Sequence, residues 1–126
     1  MSERVRGIIV SHAAVAAALV EAVGQITGER DALIAVSNDG CSLGTLGERV
    51  GKAVGTAPAV VFVDLPGGSC LQATAQYMRT HPNVAVVTGV NLAMLLDFIY
   101  HRDLAPEAAA RRAAESGMRA TRVFGS

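Results

Sequence analysis

Val60-Val61-Phe62-Val63-Asp64-Leu65-Pro66-Gly67-Gly68-Ser69 runs from a continuous apolar stretch into a carboxylate and a Gly-Gly-Ser turn. Unbroken apolar residues over so short a length read as a strand covered on both faces, as in a parallel sheet. The Pro-Gly-Gly that follows ends the strand. Ser69 and Gln72 then have the spacing of a capping box, which opens a helix running to about residue 80. Gly7-Ile8-Ile9-Val10-Ser11-His12 repeats the pattern near the N-terminus. It too is an apolar run that stops at a reactive side chain shortly before a helix. In an open α/β sheet both side chains fall at the carboxyl edge, where such folds place their sites.

Working outward, strand and helix alternate. Residues 5–10 form the first strand. Residues 13–25 follow as an Ala-rich helix with Val15, Leu19 and Val23 at helical spacing. Residues 32–36 form a second strand, ended by Ser37-Asn38-Asp39-Gly40. Thr45 and Glu48 have capping-box spacing and place the start of the second helix near Thr45. Residues 60–63 and 84–88 are the third and fourth strands, and Asn91 is a good N-cap for a helix to about Tyr100. Four such units in succession predict a doubly wound, mostly parallel four-stranded sheet with helices on both faces, and the order expected for it is 2-1-3-4, one of those such sheets adopt. Residues 1–104 form this core. In 105–126, a helix over 106–116 with Gly117 as its C-cap leads to a short fifth strand over 118–124. That strand must pair with a sheet edge, in its own subunit or in a partner.

The 126 residues fit one domain. They are 51% hydrophobic but only 4% aromatic, so the core must be built from Val, Ala, Leu and Ile. Eleven basic residues balance eleven acidic ones. No net field then attracts nucleic acid or an anionic membrane, and the aromatic platform of a single-strand binder is missing. The uncharged stretch from Val84 to Leu96 is broken by Thr88, Gly89 and Asn91 and falls short of the ~20 apolar residues of a membrane helix. Cys41 and Cys70 make no Cys-x-x-Cys pair and no metal spacing. The start, Met1-Ser2-Glu3-Arg4-Val5-Arg6, has no apolar signal region. These features predict a reduced cytoplasmic protein with no metal, no cofactor, no nucleic-acid partner and no direct membrane insertion.

His12 is the leading candidate for chemistry. A neutral imidazole is a good nucleophile near pH 7, since its ordinary pKa is about 6.5. It can carry a phosphoryl group covalently and so split one transfer into two. For this, one ring nitrogen must be exposed and the other held, and a carboxylate such as Asp64 can accept the second N–H. In the order 2-1-3-4, strands one and three are neighbours, which brings the two together. Gly67, Gly68 and Ser69 lead into a helix N-terminus, where a tight turn, free N–H groups and the helix dipole favour an anion. The same residue types also fit a His that only caps a helix and an Asp that is a solvated strand end. Residue types alone leave both readings open.

Other signals are weaker. Gly47-Glu48-Arg49-Val50-Gly51-Lys52 is one residue short of a Walker A loop, has Ala53 where Ser or Thr belongs, and reads as helix. His81 and His101 read as surface or capping residues. Cys41 and Cys70 fall at the carboxyl edge and read as small apolar residues. Arg102, Arg111, Arg112, Arg119 and Arg122 read as a solvated face or part of a partner interface.

Taken together, Gly7 to His12, Val63 to Ser69 and Thr88-Gly89-Val90-Asn91-Leu92-Ala93-Met94-Leu95 resemble, in order and spacing, the IIA component of the mannose-type (mannose/fructose/sorbose) bacterial phosphoenolpyruvate-dependent sugar phosphotransferase system. The resemblance covers nearly the whole chain. It implies a phosphotransferase in which His12 takes a phosphoryl group from the phosphocarrier HPr and passes it to a IIB component for sugar uptake. It implies that Asp64 hydrogen-bonds the active histidine and that Gly67, Gly68 and Ser69 hold the phosphoryl oxygens. It further implies a homodimer that exchanges a C-terminal strand.

Three positions depart from the family pattern. Cys70 stands where Pro is usual, Gln72 replaces Asn, and Asn91-Leu92-Ala93-Met94 lacks the usual Pro. They bear on partner choice, as they lie near the expected docking surface. The loop Asn38 to Thr45 also resembles the phosphoryl-donor domain of dihydroxyacetone kinase systems. A regulatory module, in which the phosphorylation state of His12 controls a partner, and a bare scaffold without phosphoryl chemistry are the remaining alternatives.

Overall fold

The computed structural model describes residues 4–125; the readings at 1–3 and 126 lie outside the described residues. The chain alternates β1 (Arg6–Ser11), α1 (Val15–Thr27), β2 (Leu33–Ser37), α2 (Leu43–Val54), β3 (Ala59–Val63), α3 (Ser69–Met78), β4 (Val84–Thr88) and α4 (Leu92–Ile99), then adds α5 (Pro106–Ala120). All strand pairs are parallel, in the expected order β2-β1-β3-β4. Parallel strands need crossovers, and the helices supply them while covering both faces. One face carries α1, α4 and α5 over Ile9, Val60 and Phe62. The other carries α2 and α3 over Ile8, Val10, Val61 and Val63. Alternate residues of β1 and β3 therefore serve opposite cores, which is why these strands are apolar throughout.

The core is aliphatic, with one aromatic contact. Phe62 and Phe98 meet edge to face, with centroids 5.1 Å apart. Gly7 makes room for this pair, because a Cβ there would lie 2.5 Å from Leu33 Cδ2 and 2.7 Å from Phe98 Cε2. Gly7→Ala is expected to destabilise the fold by about 1–3 kcal/mol, since a packed interior cannot absorb the extra methyl. Thermal unfolding of the purified variant measures this; an unchanged midpoint would mean that Phe98 repacks freely.

Several boundaries differ from the sequence reading. α2 begins before Thr45: Ser42 is its N-cap and forms the capping box with Thr45 rather than Thr45 with Glu48. Ser42 and Thr45 satisfy the same three-residue spacing one turn earlier. α3 has no Ser69 cap either. Gly68, with φ +87°, is its N-cap, and Ser69 is already helical. Asn91 caps α4 as expected, accepting from Met94 N–H at 2.9 Å. The uncharged stretch around it is β4, a turn and α4. Among the described residues no helix is long and apolar enough to cross a membrane.

The C-terminal reading needs the largest correction. Gly117 does not end a helix. It is buried inside α5, which continues to Ala120, because a side chain there would meet Met94 Cε at 2.9 Å and the Asn91 amide at 3.1 Å. A close approach, not a left-handed cap, requires this glycine. Residues 118–120 are therefore helix. Residues 121–125 form no strand, and Val123 and Phe124 are 80% and 103% exposed. Nor is the Arg set one solvated face. Arg102 donates to the Val5 carbonyl at 2.8 Å, and Arg112 lies 3.6 Å from the Asp97 carboxylate, which is only 12% exposed. Arg111 and Arg119 do sit in exposed pairs with Glu107 and Glu115.

Candidate functional site

β1 and β3 run side by side in register, with Val10 opposite Val63. The next residues therefore leave the sheet together. Asp64 N–H still donates to the Val10 carbonyl, at 3.3 Å. The Asp64 side chain turns to the segment after β1, where its Oδ2 accepts the His12 main-chain N–H at 2.9 Å and meets ring Nδ1 at 2.8 Å. Asp64 is 14% exposed and the His12 side chain 42%. Burial alone would push the Asp64 carboxyl up. The hydrogen bonds and charge of His12 outweigh it and hold the carboxyl below its ordinary value. An ionised carboxylate only accepts, so Nδ1 carries the proton. The second Asp64 oxygen is buried without a hydrogen-bond partner among the described residues, and the Oδ2 hydrogen bonds both run to His12. No partner of His12 Nε2 is found among the described residues, leaving a lone pair on the open side of the ring.

Gly68 borders that ring. A Cβ built on it would sit 4.0 Å from His12 Cε1, and its φ of +87° is one that side chains rarely adopt. Gly67 has neither restriction, so the geometry requires only one of the two glycines. Ser69 opens α3, and the first N–H groups of a helix have no intrahelical acceptor. His12, Asp64 and Gly68 thus converge, Ser69 follows as the first residue of α3, and Gly67 and Gly68 are both exposed.

Two features of the site go beyond the sequence reading, which places Cys70 at the carboxyl edge as a small apolar residue but not against His12. The first is Cys70, whose Sγ lies 4.0 Å from His12 Nδ1 and which is fully buried in the first turn of α3. Burial, and then the Asp64 charge, push its thiol up, with a smaller opposing effect of a hydrogen bond from Ser69. Cys70 is therefore a poor nucleophile. Alkylation of the native protein at pH 7 is expected to label half-buried Cys41 well before Cys70, as read by peptide mass mapping. The reverse order would show that α3 opens readily.

His12, Asp64 and Cys70 place their ligand-type atoms within 4.8 Å of one another. The 2.8 Å between nitrogen and oxygen is a hydrogen bond, shorter than the roughly 3.3 Å between two ligands of a tetrahedral zinc ion. The arrangement as it stands is a dyad, not a metal cage.

The second missed feature is Ala13. Directly after His12 the chain takes a φ of +51°, and Ala13 is the one non-glycine at positive φ among the described residues. This conformation costs an L-residue roughly 1–2 kcal/mol. His81 and His101 lie elsewhere. His81 stacks on Tyr77 with its Nδ1 on the Tyr77 carbonyl, and His101 Nδ1 bonds the Asp97 carbonyl.

Residues 7–115 match the family described as the PTS system fructose IIA component, EIIA-man. The chain belongs to that family. Among solved structures, this IIA protein superposes on phosphotransferase system component EIIA from Streptococcus agalactiae with a TM-score of 0.87, at 18% identity over 95% of this chain and 97% of that one. It superposes on the mannose/sorbose-specific IIA subunit from Enterococcus faecalis with a TM-score of 0.86, at 23% identity over 98% and 97%. A protein described as a sigma-54 interaction domain protein, also from E. faecalis, shares the fold with a TM-score of 0.80, at 14% identity over the full length of both. Among curated protein sequences none matches. Membership assigns the chain to phosphotransfer within the sugar phosphotransferase system.

Proposed function

We propose that this IIA protein is a cytoplasmic phosphoryl carrier, taking its phosphoryl group from phospho-HPr onto His12 and giving it to a IIB component. The observation that carries the proposal is the 2.8 Å contact between His12 Nδ1 and Asp64 on a ring that keeps Nε2 open. The Nε2 lone pair attacks phosphorus as the bond from phosphorus to the donor breaks. The ring becomes cationic, and the Asp64 carboxylate stabilises it through Nδ1–H. Gly67, Gly68 and Ser69 hold the phosphoryl oxygens at the start of α3, where N–H groups and the helix dipole favour negative charge. The reverse attack, by the IIB component on phospho-His12, returns the ring to its starting state. No cofactor is needed, and neither nucleic acid nor bilayer insertion enters the cycle.

The test is transfer from phosphoenolpyruvate through enzyme I and HPr, read by intact mass. One acid-labile phosphoryl group is expected. Absence of labelling on folded protein with a matched HPr overturns the reading. A second reading, in which the phosphorylation state of His12 controls a regulatory partner, is favoured by the same fold in the sigma-54 interaction domain protein. Transfer onward to a IIB component separates the two.

The working unit we propose is a homodimer. Residues 1–104 and 105–126 act as one domain, and the tail after α5 crosses to the partner. A groove of about 820 Å³ runs along the outer edge of β4 against α5, lined by Val84 to Thr88. An uncovered edge strand invites pairing, and the exposed residues 121–125 are a segment that can supply it. Truncation after Ala120 is expected to turn a dimer into a monomer in light scattering. A monomeric full-length chain overturns this part.

A further inference from the structure

We propose that Ser37 and Asn38, at the end of β2, are positioning residues for His12, acting by clamping Ala13 in its left-handed conformation; this rests on the carrier reading of His12. A non-glycine at positive φ persists only where its surroundings over-determine it. Here they hold both polar groups of the residue. Ala13 N–H donates to Asn38 Oδ1 at 3.2 Å, and the Ser37 hydroxyl donates to the Ala13 carbonyl at 2.9 Å. The clamp is itself tied down. Asn38 N–H donates to the Ser11 carbonyl at 3.0 Å, and Asp39 N–H donates to Ser37 Oγ at 3.1 Å. From α2, the Arg49 guanidinium donates to the carbonyls of Ser37 and Asp39 at 3.0 and 3.2 Å. On the inner side, the buried Ser11 hydroxyl accepts Ala16 N–H at 2.7 Å and donates to the His12 carbonyl at 3.2 Å.

His12 thus lies between two fixed points, and its own N–H and Nδ1 reach Asp64 from there. If Ala13 relaxes to negative φ, the peptide joining it to His12 turns. Main chain and ring can then no longer both meet Oδ2. The clamp acts on the orientation of the ring and not on the approach of a donor protein. Misplacement of about 1 Å at a reacting group can cost about 10²-fold in rate.

The test is the double variant Ser37→Ala/Asn38→Ala, alone and combined with Ala13→Gly. Glycine takes positive φ without penalty, so it makes the clamp unnecessary. The double variant is expected to lower the maximal rate of His12 phosphorylation by about 10-fold to 10²-fold, with KM for phospho-HPr unchanged. Adding Ala13→Gly restores most of that rate. If the two residues instead touch the donor, KM rises and glycine rescues nothing, which overturns the proposal.

A second readout needs no donor. Long-range nitrogen–proton spectra of the His12 imidazole should show one tautomer with the proton on Nδ1 in the wild type. The double variant should show a mixture, and the triple variant a return to one tautomer. An unchanged ring spectrum in the folded double variant also overturns the clamp. If the wild type is not phosphorylated but the tautomer series holds, the carrier reading fails and the clamp stands.

Discussion

His12→Ala is expected to remove phosphoryl acceptance completely while leaving the fold in place. The side chain is 42% exposed, and its main-chain N–H, which alanine retains, keeps its bond to Asp64 Oδ2. What disappears is one part-buried ring hydrogen bond to a charged carboxylate, so a loss of about 1–3 kcal/mol is expected, with the fold retained. Among the described residues no second imidazole stands near the site, and the nearby thiol is unreactive. Cys70 lies 4.0 Å from the ring, and burial together with the Asp64 charge keeps it a thiol. His81 and His101 have their Nδ1 atoms on backbone carbonyls away from the site. His81→Ala and His101→Ala should therefore take up label as the wild type does. Intact mass after incubation with phospho-HPr decides the matter. A labelled His12→Ala protein would mean that the accepting group lies elsewhere, and unlabelled controls would mean the same.

The parts of the site that were legible in the sequence are those fixed by strand ends. Apolar runs ending at His12 and at Asp64 need only the order 2-1-3-4 to bring the two side chains together; alternating units imply the parallel sheet, and that order is one such sheets adopt and is the one observed. The segments that hold His12 were not legible. Ser37-Asn38 reads as an ordinary strand-ending turn, and nothing in Ala13 announces a positive φ, because tertiary hydrogen bonds impose that conformation against its preference. Glycines misled in a related way. Gly117 follows Ser116 where a C-cap would fit, yet it is small so that Asn91 and Met94 can approach α5. Gly68 has a backbone reason and adjacent Gly67 has none in the monomer. A one-residue signal cannot distinguish a turn from a close approach, since each is defined by what packs on it. The strand expected over 118–124 failed for the complementary reason. Its first three residues extend the Ala-rich helix, and the rest, residues 121–124, forms no strand among the described residues.

Asp64→Asn is expected to leave the fold intact and slow phosphoryl transfer by a factor on the order of 10²–10⁴, the range seen when a group that orients and charges a catalytic imidazole is lost. Asparagine keeps the size of the side chain and one acceptor oxygen. It lacks the negative charge that stabilises the ring once Nε2 is phosphorylated. Its amide can also turn a donor toward Nδ1, which would move the ring proton to Nε2 and block the attacking lone pair. The same substitution tests the electrostatics independently of any partner. The Asp64 carboxyl titrates below its ordinary value of about 4 in the folded protein, so the unfolded chain binds the proton more readily. Its contribution to stability is complete above the unfolded value and is lost as pH falls through the lowered folded value. Urea unfolding between neutral and acid pH should show this decline in the wild type and a shallower one in Asp64→Asn. A variant that is phosphorylated at the wild-type rate would separate the 2.8 Å contact from catalysis. An unchanged acid limb would mean that His12 does not hold the carboxylate ionised.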